Sequence, residues 1–132
     1  MTHIESMLAS REPYEVYQWA RELFDGREYI EAAQALEYLL AEHGDTMGTG
    51  EARELLARSY YHSAQLMRAV DSAREILERD PGNAYAVILL VRSLQRAGRT
   101  KEAAAAERMA LALGVEVPAT SARPLEGQPP TG

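Results

Sequence analysis

Three stretches of the chain carry one short pattern: a large apolar residue, a small one, an arginine and, two residues further on, another large residue. They are Trp19-Ala20-Arg21 with Leu23, Leu56-Ala57-Arg58 with Tyr60, and Leu90-Val91-Arg92 with Leu94. Twelve residues after each small residue stands an alanine: Ala32, Ala69 and Ala103. The three arginines are 37 and then 34 residues apart. A period in this range marks stacked helix pairs, each of which covers the apolar face of its neighbour. The chain is therefore expected to be all-α, a solenoid of about three helix-turn-helix repeats, and arrays of this kind mostly bind other proteins.

The helical period supports this. Val16, Trp19, Ala20 and Leu23 fall at offsets of 0, 3, 4 and 7 and so share one stripe of a helix. Val87, Leu90, Val91 and Leu94 repeat it, as do Leu56, Ala57 and Tyr60, with Arg53 in the place that Val16 and Val87 hold. The second helices carry Ala32, Leu36, Leu39 and Leu40, then Ala69, Ala73, Ile76 and Leu77, then Ala103, Ala110 and Leu111. Small residues at Ala20 and Ala32, Ala57 and Ala69, and Val91 and Ala103 let the paired helices approach closely.

Breaks fall where the pairs should end. In Asp80-Pro81-Gly82-Asn83, Pro81 cannot continue a helix, Gly82 suits a left-handed cap and Asn83 can cap the next helix. Gly98 marks the turn inside the third pair. Gly44-Asp45-Thr46-Met47-Gly48-Thr49-Gly50 is a connection three residues longer than its counterpart, and without a preceding strand or a following Gly-Lys-Ser/Thr it does not read as a phosphate loop. The resulting division is an N-terminal extension over 1–12, helix pairs over 13–44, 50–82 and 83–113, and a tail over 114–132. Thr2-His3-Ile4-Glu5 has the form of a capping box ahead of Ile4, Met7 and Leu8, which suggests a short helix in the extension. Pro118, Pro124, Pro129 and Pro130 among Gly, Ser and Thr give the tail a composition that favours disorder.

Over roughly residues 13–113 the chain resembles the tetratricopeptide repeat family. The large-small pairs, the alanine twelve residues on, Tyr29 three residues before Ala32, and the Asp80-Pro81-Gly82-Asn83 junction carry the resemblance. It implies a right-handed solenoid whose first helices line a concave groove and whose usual activity is to hold a peptide or partner helix there. Glu107 stands where Leu36 and Ala73 stand in the earlier units, so the third pair reads as the end of the array. One variant of the family grips a C-terminal carboxylate with lysines and asparagines. This chain has Tyr17, Glu54 and Arg92 in that region and no asparagine, so that specificity is not carried over.

A chain of 132 residues with 46% hydrophobic and 26% charged residues has the composition of one globular domain. Its net charge of −6 argues against nucleic acid, since phosphate affinity comes chiefly from Lys and Arg. It lacks cysteine, and no apolar run has the length of a signal peptide or a membrane span, so a cytoplasmic location is expected. His3, His43 and His62 have no partner at metal-ligand spacing, and Ser59, Ser63, Ser72 and Ser93 lie in helices, where a hydroxyl bonds a local carbonyl. No paired carboxylates stand out as acid and base. The sequence therefore points away from an enzyme, a cofactor, a metal or a membrane.

What remains is the groove. Arg21, Arg58 and Arg92 each follow the small packing residue and so lie about 100° around the helix from it, on the face the resemblance makes concave. Tyr14, Tyr17, Tyr61 and Tyr85 belong on or near that face, with His62 and Arg96 towards its far end. Arginine forms bidentate bonds to carboxylates, and tyrosine offers contact area at low entropy cost. The expected function is an adaptor that binds an acidic or carboxylate-bearing segment of another protein in an Arg/Tyr groove. The alternative is a self-associating scaffold, such as a homodimer, joined through apolar faces at its ends, including Met109, Leu113, Val115 and Val117.

Overall fold

A computed structural model of the chain describes residues 11–44 and 48–118. They form six helices: α1 (Pro13–Asp25), α2 (Tyr29–His43), α3 (Gly50–His62), α4 (Leu66–Arg79), α5 (Ala84–Arg96) and α6 (Thr100–Ala112). Among the described residues there is no strand. Each helix packs on the next along the chain, the arrangement of a solenoid. In addition α1 touches α3 and α3 touches α5, whereas no contact of that extent joins α2 to α4 or α4 to α6. The first helices of the pairs thus form the tighter, inner layer, and the second helices form the outer one.

One turn is used three times within the pairs. After α1, Arg27 N–H donates to Phe24 O and Glu28 N–H to Leu23 O; after α3, Ala64 to Tyr61 and Gln65 to Tyr60; after α5, Gly98 to Gln95 and Arg99 to Leu94. These crossed bonds satisfy the carbonyls left over at a helix end, and they need a left-handed residue at the first donor. Arg27, Ala64 and Gly98 have φ of 64°, 62° and 75°. Gly98 adopts this conformation freely, whereas a side chain there costs about 1–2 kcal/mol. Ala64→Gly should therefore stabilise the protein by about 0.5–1 kcal/mol, the strain relieved less the extra freedom of the unfolded chain. A rise in the urea midpoint checks this, and a fall would count against the turn.

The junction between the second and third pairs is built differently. Asn83 caps α5 as expected, its side-chain oxygen accepting from Ala86 N–H at 2.9 Å. Gly82, however, is not left-handed. Helix α4 ends instead in Asp80, whose backbone (φ −142°, ψ 83°) has left the helical region, and Asn83 N–H closes the turn onto Asp80 O at 3.0 Å. The non-helical Asp80 has already turned the chain away from the helix, so no left-handed residue is required.

Arg53 accounts for its own departure from the repeat. Where Val16 and Val87 fill the core, Arg53 is 8% exposed and its Nη2 donates to the carbonyl of Gly44 at the end of α2. The same carbonyl accepts from Thr49 Oγ1 at 3.4 Å. A cation and a donor at a helix C-terminus meet both the unpaired carbonyl and the dipole. Tyr60 makes a second tie between the first two pairs: its hydroxyl donates to Glu37, with Arg68 3.8 Å from the same carboxylate. Burial, and then the bond to Glu37, push the Tyr60 phenol well above its ordinary value.

The core lies between the layers in two clusters. One joins the first two pairs and extends to Ala86 and Leu89; the other gathers Val70, Ala73, Leu90, Val91, Leu94, Ala103 and Ala106. The residues expected to let helices approach, Ala20, Ala32, Ala57, Ala69, Val91 and Ala103, are all buried. Val117, placed by sequence in the tail, is partly buried against the second cluster. Ser59 bonds Leu55 O at 2.8 Å and Ser63 bonds Ser59 O at 2.8 Å, but the buried Ser93 hydroxyl has no partner, contrary to expectation. The suggested helix in the extension and residues 119–132 of the tail lie outside the described residues. No helix among those described is long and apolar enough to cross a membrane.

Candidate binding groove

The inner layer carries the residues singled out by sequence, and divides them into two groups. At its N-terminal end Tyr14, Tyr17 and Arg21 of α1 line a cavity of about 510 Å³ with His43, Thr49 and Glu51, over a floor that includes Leu39 and Ala52. Tyr14 is 71% exposed and Arg21 is exposed. Tyr17 beside the Arg21 guanidinium raises its pKa further, with Asp25 and Glu51 adding to the effect. Sequence reasoning missed His43 and Glu51, which reach the cavity from α2 and α3.

The second group occupies the middle and far end. The Arg58 guanidinium lies 4.7 Å from the centre of the Phe24 ring and 5.9 Å from that of Tyr85. It thereby links α1, α3 and α5 across the inner layer. Arg96 sits 4.7 Å over Tyr61 and donates to the Tyr61 carbonyl at 3.4 Å. Phe24 and Tyr61 hold the same repeat position, three residues after Arg21 and Arg58. At each step between pairs, then, a guanidinium from the later pair covers the ring of the earlier one, an arrangement worth about 0.5–1 kcal/mol at exposed sites.

Two expectations are corrected here. Tyr61 is not an open groove residue: it is 7% exposed, buried within the core beneath Arg96. Nor are the arginines uniformly solvated, since Arg58 and Arg92 are both half-buried. Arg92 Nε is buried without a hydrogen-bond partner. Burial pushes the Tyr85 phenol up, while the positive charges of Arg58 and Arg92 act against that shift. His62 is exposed at the turn edge, stacked on Tyr29 at 4.9 Å and edge-on to Phe24 and Tyr61. Phe24 was missed as a groove residue, although its register with Tyr61 makes it recognisable.

Acidic groups are also present, and one is engaged: Glu54 accepts from Asn83 Nδ2 at 3.0 Å, bridging α3 to the start of α5. Among the described residues no group of three His, Cys, Asp or Glu could hold a metal ion. The arrangement is that of an all-helical repeat array with arginines and aromatic rings on its inner face. Compared with known proteins, the chain matches no protein-family model, and no curated protein matches it.

Proposed function

We propose that this chain is a non-enzymatic adaptor of the tetratricopeptide-repeat kind, holding an acidic or carboxylate-bearing peptide of another protein along its inner layer. The observation that carries this reading is the Arg58 guanidinium between Phe24 and Tyr85, at the meeting point of α1, α3 and α5. Stacking fixes the plane of a guanidinium but leaves its N–H edges available, so the donors for a bidentate carboxylate are oriented before binding. The tyrosine-lined cavity at the N-terminal end offers room for an apolar or aromatic side chain of the same peptide, with Arg21 at its rim. The net charge of −6 favours a peptide over nucleic acid as the occupant.

The test is selection of random peptides, free or C-terminally anchored, displayed against the full chain. Enrichment of Asp and Glu in the selected sequences is the expected result. Enrichment of basic sequences, or of none, would overturn the proposal.

A further inference from the structure

The outer helices reveal a second surface, independent of the groove. In α2 the residues Ala33, Leu36 and Leu40 face the following pair; in α4 the equivalents are Val70, Ala73 and Leu77. Ala33, Leu36, Val70 and Ala73 are buried, and Leu40 and Leu77 pack partly buried against the core. In α6 the same register falls on Ala104, Glu107 and Leu111. No further helix follows among the described residues: Ala104 is half-buried, Glu107 is exposed, and Leu111 is 80% exposed. Arg108 lies beside Glu107 and is exposed as well. The place of a covered stripe is thus taken by a mixed one, a leucine and an alanine flanking an acid and a base.

We propose that this stripe joins two copies of the chain, α6 lying antiparallel against α6 of a second copy about a two-fold axis. The order of residues is self-complementary in that orientation. With the axis between positions 107 and 108, Leu111 meets the partner's Ala104, and Glu107 meets the partner's Arg108. Each contact occurs twice, which is the requirement of an isologous interface. A large side chain opposite a small one lets the helices approach closely, and the alanines of α6 put no bulk in the way. Glu107 already accepts from Gln95 at 2.7 Å through one oxygen, which holds its side chain while the other oxygen remains for the partner's Arg108. One helix per copy makes a small contact, so the dimer should be weak and concentration-dependent. It would carry two inner grooves and so double the valency of the proposed adaptor.

Sedimentation of the full chain from about 1 to 500 µM tests this, a range set by the weak association expected of small interfaces. A monomer–dimer equilibrium is expected. Arg108→Glu, which sets like charges together twice, should raise the dissociation constant by about tenfold or more. Leu111→Arg should abolish association. The double exchange Glu107→Arg with Arg108→Glu restores the opposite charges and should return the constant to within about threefold of wild type. All these positions are exposed, so melting temperatures should change little. A monomer at every concentration overturns the proposal, as does a dimer indifferent to Arg108→Glu and Leu111→Arg, or a double exchange that fails to restore. A fall in melting temperature for Leu111→Arg without any change in mass would show that the chain's own residues cover the stripe, and would also overturn it.

Discussion

Leu36→Ala should lower the free energy of unfolding by about 3 kcal/mol, measured by urea denaturation. Leu36 is fully buried and belongs to the cluster that joins the first two pairs. Deleting its side chain removes apolar contacts and leaves a hole between α2 and α3, whose walls are fixed by the Tyr60–Glu37 and Arg53–Gly44 ties. A site so braced collapses little, which favours the costlier part of the range seen for such truncations. Leu111→Ala is the matched control: the same chemical change at an 80% exposed position should move stability by no more than about 0.5 kcal/mol in the monomer. Equal losses at the two positions would mean that the stripe covered on α2 is covered on α6 as well.

Arg58→Ala should weaken a selected acidic peptide by about 2 kcal/mol, roughly a thirtyfold rise in Kd. The guanidinium sits centrally, is half-buried and is oriented by two rings, the setting in which an Arg–carboxylate pair is desolvated and behaves as a hot spot. Because it also touches Phe24 and Tyr85, the same substitution should cost about 1 kcal/mol of folding stability, unlike removal of a freely solvated arginine. Arg58→Lys separates the contributions: it keeps the charge but loses the planar fork, so it should recover part of the affinity. Arg74→Ala is the control on the opposite side, where Arg74 bonds Glu102 at 3.3 Å. Titration calorimetry at two salt concentrations reads all four proteins. Equal affinities, or a loss confined to the Arg74 variant, would place the binding surface elsewhere.

The helices and their pairing were legible because both rest on local chemistry that repeats. Alanine at Ala32, Ala69 and Ala103, and the 3.6-residue stripes, depend on packing common to every pair. The left-handed turns were legible only at Gly98. At Arg27 and Ala64 no residue type announces the conformation, and only the repeat spacing from Gly98 points to it. Arg53 shows in the sequence only as a departure from the stripe, because its partner is a backbone carbonyl nine residues away, which has no side-chain signature. The groove was read from the position of its arginines, which located the face but not the depth of each residue. Tyr61 is buried because Arg96 of the next pair covers it, a long-range effect that helical spacing within α3 does not contain.

The division of the core into two clusters has a consequence for motion. The cluster of the third pair holds three leucine or valine residues from α5 but only alanines from α6, so α6 is anchored by much less apolar volume than α2 or α4. Opening free energies across a fold follow such differences, and among the described helices α6 packs extensively on α5 alone. Hydrogen exchange should therefore reach the amides of α6 first, by a detachment that leaves the other five helices paired. None of the ring–guanidinium contacts between Phe24, Arg58, Tyr61, Tyr85 and Arg96 involves α6. The end of the array can fray and re-form while the inner surface keeps its shape.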